Sequence, residues 1–171
     1  SPDPAWVSAR HFQHILRQAG IAGVPAETLL EAAGLPRTRL QDADGIIPLS
    51  AVEQLLAALD RHPAGIMAGL RLAQDIEPAT FGALGLLLQS CTTLAEALEA
   101  LVRFNGLLSN IGTTSLAFGP GSVTLNWHCT AGSPVFRRHA TEYVLGSFVV
   151  VARLLLPDHA ELPHAVHFVH E

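Results

Sequence analysis

The sequence predicts an α+β fold, with an N-terminal helical half followed by a β-β-α-β unit whose small sheet is covered by a long helix. Three observations carry this. Apolar residues recur with the 3.6-residue helical period through most of residues 1–111. The period drops to two at Ser115–Phe118 and Ser122–His128, on either side of Gly119-Pro120-Gly121. A long apolar-striped run then opens at Ser133-Pro134, and Ala165–Val169 reads as one more strand. With no repeat, low-complexity tract or linker between them, residues 1–111 and 112–171 are expected to form one domain.

In chain order, Pro4–Ala19 predicts a first helix, with Asp3 as cap, Pro4 in the first turn and Gly20 as the stop. Val7, Phe12, Ile15, Leu16 and Ala19 mark its buried side. Pro25–Ala33 predicts a second helix, closed by Gly34 and Pro36, and Arg37–Pro48 is polar and reads as a loop. Ser50 with Glu53 has the capping-box spacing and opens a helix to about Arg61, which Pro63 and Gly65 stop. Three more helices follow, near Met67–Ala73, at Phe81–Ser90, and from a second capping box, Thr93 with Glu96. The last carries Leu94, Ala97, Leu98, Leu101, Val102, Phe104 and Leu108 on the helical period. Gly82 and Gly85 each cost about 1 kcal/mol against Ala inside a helix. Either another backbone packs closely there, or the helix end frays at Gly82.

In the hairpin, Leu116 and Phe118 share a face with Val123, Leu125 and Trp127, while Thr124, Asn126 and His128 face the other way. The helix from Ser133-Pro134 runs to about Leu156, about 33 Å at 1.5 Å per residue, and Pro157 ends it. Phe136, His139, Ala140, Tyr143, Val144, Ser147, Phe148, Val151 and Leu155 form its inner stripe.

Composition narrows the function classes. At 171 residues and 49% hydrophobic content, the chain has enough apolar material for a core plus a pocket or a subunit interface. The net charge is −5, and the ten basic residues, all Arg, are scattered apart from Arg137–Arg138. Duplex DNA is held by clustered cations facing phosphates, so this chain is not expected to bind it alone. Cys91 and Cys129 lack any zinc or redox spacing and read as reduced thiols of a cytoplasmic protein. The most apolar run, Val144–Leu156, is interrupted by Ser147 and Arg153 and falls short of the roughly 20 residues that a membrane span needs. No signal peptide is visible, and Ser1-Pro2 reads as a trimmed start.

A family resemblance rests on ordered motifs: L-L-x-x-A-G-L at Leu29–Leu35, I-P-L-S-x-V-x-x-L-L at Ile47–Leu56, G-L-R-L-A at Gly69–Ala73, F-G-x-L-G at Phe81–Gly85, and T-L-x-E-A-L-x-x-L-x-R-F at Thr93–Phe104. In this order, with the hairpin and long helix after them, they resemble the N-terminal arabinose-binding-like effector domain of AraC-type bacterial transcription regulators. The resemblance runs from about Ile15 to the end of the chain. It implies a sensor of a small-molecule effector, with a second copy of itself as a candidate partner, that meets promoter DNA only through a C-terminal helix-turn-helix domain absent from this chain. It implies no cofactor. Relatives answer to amino acids, fatty acids and other small metabolites, so the effector is left open, and a dimerisation module without an effector stands as the alternative.

Within such a domain, Phe104, Asn105, Trp127, His139 and Tyr143 are the candidate ligand-binding residues. Asn105 interrupts an apolar helix segment, and can hydrogen-bond either an effector or the backbone where the helix bends at Gly106. Trp127 lies near a strand end facing the core, and its indole N–H needs a partner if buried. His139 and Tyr143 are four apart on the inner stripe of the long helix, where ordinary core packing accounts for them equally well. An anionic effector would call on Arg137 or Arg138, which together with Glu142 otherwise read as solvated charges near the helix start. The series His164, His167, His170 shares a side on a helix but alternates on a strand, so it predicts no metal site. With no G-x-S-x-G elbow and no phosphate-cradling Gly loop before a helix, no catalytic residues are expected.

Overall fold

The structure, a computed structural model, describes residues 4–63, 69–156, 158 and 165–169. Its first element is a strand rather than the expected helix start. Trp6–Ser8 (β1) pairs antiparallel with Ile46–Pro48 (β2), with Val7 opposite Ile47 and both buried. The Trp6 N–H also donates to Asn110 Oδ1 at 2.7 Å, and Ser8 N–H donates to the Leu108 carbonyl at 2.8 Å. β1 is therefore clasped on both sides. Its extended end makes Ser8 the cap of the first helix, accepting from His11 N–H at 3.3 Å. Asp3 lies outside the described residues.

Ala9–Ile21 (α1) continues past Gly20, and its buried stripe includes Phe12, Ile15, Leu16 and Ala19 as expected, with His11 and His14 added. Ala26–Ala33 (α2) ends at Gly34, which takes the left-handed φ of 67°. The Arg37–Pro48 segment holds a 3₁₀ turn at Arg37–Leu40 as well as β2, so it is more ordered than the expected loop. Leu49–Arg61 (α3) follows β2 directly with Pro48 at the N-cap, which puts Ser50 inside the first turn. The Ser50–Glu53 capping box is thus not made. Glu53 accepts instead from Ser133 N–H at 2.9 Å.

Gly69–Leu72 (α4) is the described part of the helix expected near Met67–Ala73; Met67 and Gly65 lie outside the described residues. The helix expected over Phe81–Ser90 is divided. Pro78–Phe81 is a 3₁₀ turn, Gly82 breaks it at φ 58°, and Ala83–Ser90 (α5) follows. Gly85 meets the anticipated close backbone, because a Cβ there would stand 1.8 Å from the Pro78 carbonyl oxygen. Leu94–Phe104 (α6) starts at the Thr93–Glu96 capping box, with both reciprocal hydrogen bonds made, and tightens into a 3₁₀ turn at Asn105–Leu107.

Gly112–Gly119 (β3) and Ser122–Cys129 (β4) form the hairpin, with Leu116 opposite Leu125 and Thr114 opposite Trp127. Burial alternates as the period-two pattern requires, until the tip, where Phe118 is exposed. Pro134–Leu155 (α7) then packs on β4 and α4, with Ser133 accepting from Phe136 N–H at 3.2 Å. The architecture is α+β with two small antiparallel sheets, and among the described residues the unit after α6 is β-β-α. Ala165–Val169 is in no strand, and Val166 and Val169 are exposed, so the segment lacks the burial that would hold a third strand on the hairpin. Pro157, His164 and His170 lie outside the described residues. No helix among the described residues is long and apolar enough to cross a membrane.

Candidate functional site

The inner stripe of α7 and the buried face of α1 come together over a cavity of about 70 Å³. α7 contributes His139, Tyr143 and Ser147, four apart in one column along the helix, with Ala140 beside them. α1 contributes His11 and Ile15, and α3 contributes Val52 and Leu56. Asn105, Leu108 and Ile111 close one side from the segment linking α6 to β3, with Trp127 of β4 beside them. The wall includes no Asp, Glu, Lys or Arg. A wider concavity between α1, α2 and the Arg37–Leu40 turn is more open, and so lacks the enclosure expected of a small-molecule site.

The polar centre of the cavity is a histidine–tyrosine pair. His11 Nδ1 and the Tyr143 hydroxyl share a hydrogen bond of 2.8 Å. The His11 ring stands edge-on to Phe81, with centroids 5.2 Å apart, and edge-on to Tyr143, 5.6 Å apart. Burial, helped by the neighbouring His14, lowers the His11 pKa to about 3, so the ring is neutral. Burial likewise pushes the Tyr143 phenol upward, so it keeps its proton. His14 Nε2–H donates to the Leu72 carbonyl at 2.9 Å, and Ser147 Oγ–H donates to the Tyr143 carbonyl at 2.7 Å. Nε2 of His11 has no partner; among the described residues the only other buried side-chain nitrogen or oxygen in that state is Thr114 Oγ1, outside the cavity wall.

Of the residues singled out in the sequence, Asn105, Trp127, His139 and Tyr143 line this cavity. Asn105 is buried where α6 tightens, and its carbonyl accepts from Leu108 N–H at 3.0 Å. Trp127 packs over Gly112, where a Cβ would stand 2.4 Å from the indole ring. His139 Nε2 lies 3.2 Å from Asp60 Oδ2, linking α7 to α3. Phe104 is outside the cavity wall, half-buried, with the Arg103 guanidinium 5.3 Å from its ring centroid. Arg137 and Arg138 are exposed and also outside the wall; Arg138 donates to Glu142 at 3.2 Å.

Sequence reasoning missed His11 and His14. Their signal was two imidazoles three apart, set among the apolar stripe of α1. Glu142, expected as a solvated charge, is instead a buried carboxylate on α7 that accepts from Gly69 N–H at 3.1 Å. Cys91 and Cys129 are free thiols, and among the described residues no cluster of His, Cys, Asp and Glu is placed to hold a metal ion.

No curated protein matches the chain. The sequence model of one family, described as the arabinose-binding domain at the N-terminus of AraC transcription regulators, matches residues 23–171. That family is a regulatory and non-enzymatic one whose members bind small-molecule effectors. β1 and α1, with His11, precede the matched stretch, while the α3, β4 and α7 walls of the cavity fall inside it. With a match over most of its length, and α7 packed on β4 beside a largely apolar cavity, the chain belongs to the family of N-terminal arabinose-binding domains of AraC-type transcription regulators.

Proposed function

We propose that this domain senses a small metabolite in the cavity between α1, α3, β4 and α7, and that the occupant biases DNA binding by a helix-turn-helix domain outside this chain. The observation that carries the reading is a concave wall that is apolar except for a few polar groups from α1, α7 and the Asn105 turn. The cavity of about 70 Å³ is well below the roughly 300–1,000 Å³ of pockets that enclose a metabolite. The wall must therefore open to admit the effector, and the filled and collapsed packings are the two states between which the effector discriminates. Binding shifts them only by its difference in affinity for the two. Asn105, Trp127, His139 and Tyr143 supply the contacts; Phe104 serves indirectly, beside the turn that carries Asn105. On this reading the full regulator acts in the bacterial cytoplasm and meets promoter DNA only through the other domain.

Thermal unfolding of the chain against a metabolite panel tests this. One chemical class should raise the midpoint, because a ligand of the native state adds RT ln(1 + [L]/Kd) to its stability. A flat response across a broad panel would overturn the sensor reading.

A homodimerisation role is favoured by a separate observation. Leu86 of α5 is 71% exposed, and Leu87, Val102 and Leu107 are also exposed nearby in the chain, on α5, α6 and the turn after it. On that reading the unfolding midpoint rises with protein concentration and ignores the panel.

A further inference from the structure

The strongest unassigned feature is the unpaired nitrogen of His11. The residue is 8% exposed and lines the cavity; Nδ1 is committed to Tyr143, and Nε2 is buried with nothing to bond, so a guest meets it only as the wall opens. A buried polar atom left in that state is costly, so something is expected to complete it. The Tyr143 phenol keeps its proton. In the arrangement that uses this proton, Tyr143 donates to Nδ1 and Nε2 carries the ring hydrogen. The rest of the wall restricts what can arrive. It has no carboxylate or guanidinium, and its second imidazole, His139, already faces Asp60 Oδ2 at 3.2 Å, so a charged guest would lose its water without gaining a free counter-charge. A wholly apolar guest would leave Nε2 as it is.

We propose that the effector is an uncharged, largely apolar molecule bearing a hydroxyl, and that this hydroxyl completes the hydrogen bonding of His11 Nε2. A hydroxyl serves either ring tautomer, since it accepts from Nε2–H and donates to a bare Nε2. This rests on the sensor reading and narrows it to a ligand class.

Butan-1-ol, 1-chlorobutane and butyrate are similar in size and differ in the end group, so they separate the alternatives. Their dissociation constants are measured on the 171-residue chain by NMR titration, following the Nε2 nitrogen resonance of His11 and the ring signals of Tyr143 and Trp127. Butan-1-ol should bind about tenfold tighter than the other two, as one hydrogen bond allows, and it alone should move the Nε2 resonance. His11→Asn keeps an amide near the Nδ1 position for Tyr143 and deletes Nε2; it should bring butan-1-ol level with 1-chlorobutane. Equal or tighter binding of butyrate or 1-chlorobutane to the wild type, or an Nε2 resonance unmoved by bound butan-1-ol, overturns the proposal while leaving the cavity a ligand site. Unmoved Tyr143 and Trp127 signals with all three probes remove the proposal and the sensor reading together, leaving Nε2 as a site for water only. If His11→Asn fails to fold, the wild-type ranking and the Nε2 resonance decide.

Discussion

His11 makes acid stability a readable property of one side chain. Unfolded, its imidazole takes a proton near pH 6.5; folded, among Tyr143, Phe81 and His14, it does so only near 3. The unfolded state therefore binds more protons at every pH between these values. The contribution to stability is complete above 6.5 and declines as pH falls toward 3. At pH 5 the loss attributable to this group is about 2 kcal/mol. Urea unfolding of wild type and His11→Asn from pH 7.5 to 5 should give converging curves, and parallel curves would contradict this assignment. Tyr143→Phe leaves Nδ1 as well as Nε2 without a partner, and should cost about 1–3 kcal/mol at neutral pH in the same assay. Tyr143 was legible in the sequence because it sits on the 3.6-residue stripe of a long helix. His11 was not, because an imidazole amid an apolar face gives no sign of which partner, from far along the chain, will meet it.

Among the elements, α6 owes its start to local chemistry and α5 to a tertiary contact. Thr93→Ala removes an exposed cap hydrogen bond of 3.2 Å and should cost about 1 kcal/mol in chemical denaturation, with the fold intact. Gly85→Ala forces a methyl into the Pro78 carbonyl and should cost about 2 kcal/mol or more; a neutral result would mean that the Pro78–Phe81 turn yields freely. The two capping boxes show where local reading succeeds. Thr93 follows a stretch with no other commitment, so its hydroxyl takes the N-cap. Ser50 follows Pro48, which pairs with Trp6 across the sheet and so already stands extended at the helix entrance. Nothing local to Ser50 reveals a pairing with a residue some forty positions earlier. Ala165–Val169 failed for the converse reason: its alternation suits a strand, yet Val166 and Val169 find no apolar surface to face.

At the scale of the molecule, α7 is held to the helical half by polar ties as well as by its apolar stripe. Glu53 accepts from Ser133, Asp60 meets His139, and Glu142 accepts from Gly69 N–H. These ties frame the cavity, so opening it to a guest should loosen α7 against α3 and α4. Trp127 stands in that wall and is buried, whereas Trp6, the other tryptophan, is half-buried on β1. In a Trp6→Phe background, a cavity ligand should shift or quench the remaining emission; unchanged emission at saturating ligand would place binding elsewhere. The helical half, the hairpin and the long helix were legible because each is a local period. The clasp of β1 was not, because three residues are too few to show a period.

That clasp also sets an order of events during synthesis. The partner of Trp6 is Asn110, 104 positions further on. At roughly 5–20 residues per second, a ribosome needs roughly 5–20 s to make the intervening chain. Until then one side of β1 has no hydrogen-bond partner, so β1 emerges well before it is fully secured. A nascent chain stalled before Asn110 should leave Trp6–Ser8 open to protease, and one released beyond it should not.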